Sequence, residues 1–596
     1  MKGKKFFSLL CLLWFLSPPA WAQNEPAIRA AVNKALPMLQ RSAKEFVAKR
    51  ACVSCHHNIL TIFTLDRAHS SGFKIDESVL KAVEEKTFRE LQTQNALDDA
   101  IQATTLNDPT PDDSYLLMAA RDAGLPPNLT TTVYARRLAR WQRDGHWVTS
   151  DFRPPHSSSL FMTTATAVRA ISAYMPEELR EERDAVLRSA RQWLAANRPL
   201  STEDASFRLM GLTWSLASQE EINAAQRDLL AMQRPDGGWG QLAGYVSDAY
   251  STGEALVAMY ETRLPAPPPA WKAAVNFLIS TQAPDGAWHV HTRMLSPAEV
   301  SPKYFQTGFP YGSDEFLSYA GSCWAVMALT RALDNSADKP TAIVASPDVP
   351  SWIPVALFGT AQQLAKLLEN GLDPNTRTGN GTTLLMASAL DAEKVKMLVA
   401  RGADVKFRSM SGTDALTVAS AYRGTAASLT ALLDAGAEVE PPEGVRARNT
   451  PLVFASMTGD LENVKLLLSR EAKPAEKAFS QAVTFGYPDV VRALIGAGAD
   501  TNLTDGSGIN LLHWAAITDR PSLIPILAEA HVPINAMDDH GFTPLMYAAT
   551  IDFGDDDVLK ALLKAGADKS IKNYENRTPF AQAKYYKHSR LEQALR

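Results

Sequence analysis

Two recurring phrases constrain this chain more than anything else in it. Between residues 57 and 334 an Asp-Gly-x-Trp core returns three times, in Trp141-Gln142-Arg143-Asp144-Gly145-His146-Trp147, Gln233-Arg234-Pro235-Asp236-Gly237-Gly238-Trp239 and Gln282-Ala283-Pro284-Asp285-Gly286-Ala287-Trp288. Trp239 and Trp288 lie 49 residues apart and Trp147 and Trp239 lie 92 apart, so the longer gap holds two repeats, with a degenerate turn near Trp193 and Arg198. Each phrase ends one helical run and precedes another. Asp-Gly suits a turn in which glycine takes a positive φ, and the Trp can pack over the helix end. The flanking apolar positions, such as Leu160, Phe161, Ala165, Val168 and Ile171, have helical spacing.

A second phrase takes over from residue 351. Gly371-Leu372-Asp373, Gly402-Ala403-Asp404, Gly436-Ala437-Glu438, Gly498-Ala499-Asp500 and Gly566-Ala567-Asp568 each close an amphipathic helix, with weaker equivalents at Glu471-Ala472 and His531-Val532. Helix openers such as Asn449-Thr450-Pro451-Leu452 and Gly541-Phe542-Thr543-Pro544-Leu545 stand between them. Such units hide their apolar faces only by stacking on neighbours, which is why roughly seven occur together. From Asp334 to about Pro350, proline and small polar residues without periodicity mark a linker over 335–350.

The first set resembles the Q-x-x-D-G-x-W repeats of the squalene cyclase and protein prenyltransferase superfamily. That resemblance implies a terpenoid cyclase-like α/α toroid over residues 57–334, with inner and outer rings of helices around a central cavity. The second set, over 351–596, resembles ankyrin repeats, whose spacing is about 33 residues. It implies a solenoid that takes a protein partner through its hairpin tips and concave helix face, with Tyr585, Tyr586 and Lys587 in a shorter polar cap. The expected fold class is all-α, an α/α toroid followed by an ankyrin-repeat solenoid. Chemistry does not travel with fold. The cyclase D-x-D-D acid motif does not occur, and the nearest cluster, Asp108 to Asp113, has the wrong spacing. The prenyltransferase D-x-C zinc pair is also missing, because Gly321 stands two positions before Cys323. The toroid therefore reads as a scaffold or binding fold, not as a proven cyclase.

Lys2, Lys4 and Lys5, the apolar run Phe6 to Leu16 and Ala20-Trp21-Ala22 read as a cleavable signal peptide over residues 1–22. The expected location is periplasmic or secreted, with an uncleaved anchor as the alternative. Cleavage leaves Cys52, Cys55 and Cys323, too few for a disulfide-dense scaffold. The segment 23–56 ends in Cys52-Val53-Ser54-Cys55-His56, the C-x-x-C-H spacing of covalent haem attachment. The expected cofactor is one covalent haem c, with Cys52 and Cys55 as thioether donors and His56 as the metal ligand. A disulfide, a zinc site short of its fourth ligand and a redox-active C-x-x-C remain open beside it. His57 diverges from His56 by about 100° on a helix and reads as a surface or supporting residue. His69, His156, Met162 and Met38 are the candidates for a sixth ligand.

Other residues carry two readings each. His289-Val290-His291 offers two imidazoles in an extended loop, or two ordinary surface histidines. Asp314-Glu315 reads as a carboxylate pair at the cavity mouth or as a helix cap. Asp248, Tyr250 and Glu254 open another inner-helix candidate with the same capping explanation. Trp214, Trp324, Tyr304 and Phe305 line an apolar cavity or belong to the core.

At 596 residues the chain exceeds a single core, and its net charge of −5 is well mixed. That argues against a nucleic-acid surface or a polybasic membrane patch. No run after the signal is apolar for long enough to span a membrane. The expected function is an exported, haem-bearing toroid and ankyrin protein, a redox or sensing module with a redox partner and a docked protein partner. The alternatives are an enzyme or binder for an isoprenoid-like apolar substrate, and a cofactor-free scaffold with a Cys52–Cys55 disulfide.

Overall fold

The computed structural model describes residues 24–50, 53–93, 95–104, 106, 108–262, 268–293, 307–333, 349–442 and 449–596. The signal segment 1–22, Cys52, the side chain of Cys55, Tyr304, Phe305 and most of the linker 335–350 lie outside the described residues. Among the described residues the chain is helical, with isolated bridges and no β-strand.

The N-terminal unit contains α1 (Glu25–Lys49), α2 (Leu60–Ser70), α3 (Glu77–Thr87), α4 (Arg89–Gln92), α5 (Ala96–Gln102), α6 (Pro109–Asp122), α7 (Leu129–Trp141), α8 (Leu160–Tyr174), α9 (Arg180–Ala196), α10 (Thr202–Trp214), α11 (Gln219–Ala231), α12 (Ala249–Glu261), α13 (Pro268–Thr281) and α14 (Glu315–Arg331). Every second helix from α6 to α14 packs on the next in the series, α14 packs on α2, and α2 packs back on α6. These helices are buried on nearly all sides: α14 exposes little beyond Phe316 and Arg331. Of the helices between them, α9 and α11 bury one stripe only, Ala190 with Leu194 and Ala225 with Leu229, whereas α7 is covered on most sides. Apolar character all round a helix and a single apolar stripe therefore separate two layers. Helix α1, which belongs to the segment 23–56, packs on both α13 and α14.

The Asp-Gly-x-Trp turns fasten these layers in the same way each time. The indole Nε1 of Trp147, Trp239 and Trp288 donates to the carbonyl of Leu138, Leu229 and Leu278, at 2.7, 2.8 and 2.8 Å. Each bond ends on a carbonyl in the last turns of α7, α11 or α13, where intrahelical donors run out. The backbone N–H of the same three tryptophans donates to Thr164, Thr252 and Ser322, on the inner helices α8, α12 and α14. The glutamines reach sideways: Gln142 donates to Val186 of α9, Gln233 to Ala270 of α13 and Gln282 to Ala31 of α1.

The C-terminal unit is a stack of eight described helix pairs, α15 (Trp352–Phe358) with α16 (Ala361–Glu369), α17 (Leu384–Ala387) with α18 (Ala392–Ala400), α19 (Ala415–Ser420) with α20 (Ala426–Asp434), α21 (Pro451–Thr458) with α22 (Leu461–Ser469), α23 (Glu476–Phe485) with α24 (Pro488–Gly496), α25 (Leu511–Ile517) with α26 (Ile524–Glu529), α27 (Pro544–Thr550) with α28 (Asp557–Lys564), and α29 (Pro579–Tyr585) with α30 (Ser589–Leu595). Thr450, Thr543 and Thr578 cap α21, α27 and α29 through their hydroxyls, with proline at the first helical position.

The two units touch along a continuous seam. Trp141 Nε1 donates to the carbonyl of Ala421 at 2.9 Å, Arg143 pairs with Asp489 at 2.7 Å, and Arg520 donates to the carbonyl of Thr149. Further along, the Tyr245 hydroxyl meets Asp552 at 3.1 Å and His588 at 2.9 Å. The repeats contribute mainly the ends of their first helices and the turns that follow. Hairpin residues Thr378 and Asn380 add bonds to Asp98 on α5, and Thr382 and Ser411 to Gln102.

Candidate functional site

A short π-helical turn, Cys55–Ile59, sits between α1 and α2 and aims two adjacent histidines at different surroundings. His57 is buried, which overturns its surface reading and leaves the supporting one. Its ring lies between Phe46 (4.8 Å, 7° between planes) and Tyr319 (4.0 Å, 16°), and its Nε2 meets the Ser42 hydroxyl at 3.2 Å. Burial in this stack lowers its pKa to about 3 and keeps the imidazole neutral.

His56 is half-buried and faces the middle of the inner helices. Its ring centre lies 5.6 Å from Phe316, 4.9 Å from His57 and 6.2 Å from His156. Burial, then the neighbouring His57, His156 and Arg153, hold its pKa well below the usual imidazole value. A neutral imidazole is the form that ligates a metal. His156 is buried as well, with its pKa lowered to about 4, again by burial first. Its Nδ1 meets the Tyr250 hydroxyl at 3.0 Å, and its Nε2 is buried with no hydrogen-bond partner.

The other sixth-ligand candidates stand elsewhere. His69 is exposed at the end of α2, Met38 is half-buried on α1, and Met162 is fully buried within α8, beside Thr166.

Beyond His156 the interior turns acidic. The Tyr250 hydroxyl donates to Glu203 at 3.3 Å, and Glu254 lies one helical turn along α12 from Tyr250. Burial raises both glutamates well above the carboxylate range. The charge of Asp204 adds to this at Glu203, and the charge of Glu203 adds to it at Glu254. Neither Glu254 oxygen accepts a well-formed hydrogen bond. Trp324 and Phe207 stand at the same level, their rings 6.5 Å apart. The sequence pointed to Tyr250, Glu254 and Trp324 but missed Glu203, which carries no motif and is picked out only by its burial.

Several residues are occupied structurally. Asp248 caps α12 through Ser251 at 2.8 Å, as its capping reading has it. Trp214 donates to Glu261 at 3.3 Å. Asp108 caps α6 and Asp113 pairs with Arg137 at 2.7 Å, so that acidic run does not converge on one point. Asp314 and Glu315 diverge: Glu315 accepts from Thr307, whereas Asp314 accepts from Thr292 N–H at 2.9 Å and meets both His289 and His291 at 2.9 Å.

The comparisons with known proteins agree with the C-terminal stack. The family of ankyrin repeats, in three copies, matches residues 479–573. SH3 and multiple ankyrin repeat domains protein 2 of Homo sapiens is 28% identical over 234 residues, covering 37% of this chain and 10% of that protein. The ankyrin repeat protein YahD of Escherichia coli (strain K12) is 25% identical over 204 residues, covering 34% of this chain and 87% of YahD. The transient receptor potential cation channel subfamily A member 1 of Homo sapiens is 26% identical over 239 residues, covering 37% of this chain and 21% of the channel. The chain thus spans about a tenth of the human SH3 protein and most of YahD. It carries ankyrin repeats, an architecture of protein–protein interaction. No helix among the described residues is long and apolar enough to cross a membrane.

Proposed function

We propose that this is an exported c-type haem protein in which an α/α toroid houses the haem end and the ankyrin array provides the protein-binding surface. The toroid reading rests on the closed order of inner-helix contacts from α2 through α14 and back. The haem reading rests on one juxtaposition: the histidine of the C-x-x-C-H run lies 6.2 Å, ring to ring, from a second buried imidazole whose Nε2 is unpartnered. An orphaned buried nitrogen is costly unless something fills its place. The donor set fits the group: Cys52 and Cys55 would bind it covalently, His56 would ligate iron, and His156 is the candidate for a second iron ligand.

When bound, a haem supplies reversible one-electron iron chemistry. The chain's own residues supply the setting. His57, clamped between Phe46 and Tyr319, fixes the turn that carries His56. Tyr250 holds His156 through Nδ1 and leaves Nε2 free to ligate. Phe46 and Phe316 border the His56 ring, Tyr115 and Tyr250 border His156, and both imidazoles stay neutral. The test is expression with a haem-maturation system. A haem stain that survives denaturing electrophoresis and disappears in C52S C55S is the expected result, and a colourless wild-type protein overturns it.

The second reading, a binder or enzyme for an isoprenoid-like apolar molecule, is favoured by the buried Glu203 and Glu254 among Phe207, Tyr250 and Trp324. Their proton-bearing forms are acids in an aromatic setting. Organic extraction of the purified protein followed by mass spectrometry tests it, and an extract without a stoichiometric apolar compound counts against it.

A further inference from the structure

We infer that His289, His291 and Asp314 form a binding site for a zinc-like divalent cation on the surface of the N-terminal unit. The site is built by a short extended segment. Trp288 and Val290 are both buried, and Val290 is held by Ser318, whose hydroxyl accepts from Val290 N–H at 3.0 Å and lies 3.2 Å from its carbonyl. Alternation along an extended backbone then sends His289 and His291 to the opposite face, where both are exposed. Their rings lie 4.2 Å apart, and the His289 ring stacks on Tyr311 at 4.3 Å and 7°, which fixes its direction. Across from them the turn before α14 presents Asp314.

Three donor atoms converge there. His289 Nε2 and His291 Nδ1 each lie 2.9 Å from Asp314 Oδ2, and the three ligand atoms lie within 4.8 Å of one another. Ligands on one tetrahedral zinc with bonds of about 2.0 Å stand roughly 3.3 Å apart, so the two nitrogen–oxygen separations of 2.9 Å need only a few tenths of an ångström of opening. The other carboxylate oxygen is already oriented by Thr292 N–H at 2.9 Å, the kind of outer bond that steers a metal-binding carboxylate. Two imidazoles and one carboxylate suit zinc and its neighbours better than magnesium or calcium. With three protein ligands and two exposed rings, the fourth position opens to solvent.

The competing arrangement is two imidazoles that both donate to Asp314 Oδ2. Tag-free full-length protein, stripped with chelator and titrated with zinc chloride in a calorimeter, separates the two. The expected result is one equivalent bound at micromolar protein, with the same affinity in C52S C55S, which excludes the thiols as the source. H291A alters only an exposed ring and is expected to weaken binding at least tenfold; D314N is expected to do the same with an unchanged far-ultraviolet spectrum. Cobalt(II) at the site is expected to give the intense visible bands of a four-coordinate ion. Absence of zinc binding, or binding that H291A leaves unchanged, overturns the inference.

Discussion

Gly286 sits directly against the backbone carbonyl of Lys34, so closely that a Cβ at position 286 would overlap that oxygen. The relation repeats in the other turns: Gly145 abuts the Ser189 carbonyl on α9, and Gly237 abuts the Ala273 carbonyl on α13. All three take positive φ, at 81, 88 and 95° in chain order. The glycine thus serves the turn and also the approach of the next helix in the outer layer. At Gly286 that helix is α1, so the last turn of the series docks on the first described helix.

G286A should therefore cost more than a positive-φ substitution alone. Gly244 has a similar φ of 89° and nothing within 4 Å of an added Cβ, so G244A isolates the backbone strain, about 1 kcal/mol. G286A adds a clash with fixed backbone and is expected to cost roughly 2–4 kcal/mol. Thermal unfolding should place G286A well below G244A, and amide exchange should show the added loss in α1. Equal melting temperatures for the two variants would show that α1 does not depend on this contact.

The weaker repeat ends offer the opposite experiment. Glu471 and His531 occupy the positions that glycine holds elsewhere, and they take φ of 67 and 61° there. A left-handed conformation costs a residue with a Cβ about 1 kcal/mol, and glycine removes most of that strain. E471G and H531G should each stabilise the array by about 0.5–1 kcal/mol. Denaturant unfolding of the full chain, followed by a probe in the repeats, checks this; a destabilised variant would contradict it.

Contact between the two units gives a third prediction. Arg143 stands over the ring of Tyr487 at 5.1 Å while pairing with Asp489. The pair is partly open to water, so its worth is modest, about 0.5–1 kcal/mol. R143E should weaken docking of the array, and D489R in the same chain should recover part of the loss. Small-angle scattering at low and high salt is the measurement, with the R143E expansion most evident at low salt.

Much of this architecture was legible because it is periodic. The Asp-Gly-x-Trp turns and the Gly-Ala-Asp helix ends require particular backbone conformations, and such requirements show in a single sequence. Even Glu471 and His531 were placed by spacing alone, despite the wrong residue type. The site was legible only in part. The C-x-x-C-H run names His56, but the side chains that His56 meets come from α1, α8's approach loop and α14. Proximity across such separations leaves no local pattern. For His57 the surface and supporting readings stayed open, because adjacency to His56 says nothing about which ring enters the core. Seating of the array against the N-terminal unit was invisible for the same reason: Arg143 and Asp489 are ordinary surface types until folding brings them together.

Burial of neutral histidines sets an acid limit on stability. His57 and His156 have folded pKa values of about 3 and 4 against an ordinary 6.5. Between those values the unfolded chain binds protons that the folded chain refuses, so stability is lost as pH falls from about 6.5 toward 4. Glu203 and Glu254 act in the opposite sense, because their folded pKa values are raised: their contribution is present at low pH and is lost as pH rises through the folded value. In the C52S C55S chain, H57F should flatten the acid limb of melting temperature against pH, by up to about 1.4 kcal/mol per pH unit at most. E254Q should flatten the alkaline limb. An acid limb unaltered by H57F would place the proton uptake elsewhere.

The last prediction concerns His156 in the haem-loaded protein. Its Nδ1 is engaged by Tyr250, so its unpartnered Nε2 is the nitrogen left for a ligand. If that nitrogen ligates iron, H156M exchanges an imidazole for a thioether and should raise the reduction potential. The expected rise is on the order of 0.1 V, a small part of the roughly 0.8 V that axial ligands command. H156A should open the position, shift the absorption spectrum of the reduced protein and let carbon monoxide bind. Y250F should leave the spectrum nearly unaltered while loosening the ring that Tyr250 holds. Identical spectra and potentials in wild type, H156M and H156A would remove His156 from the iron and leave its buried nitrogen for the glutamates to explain.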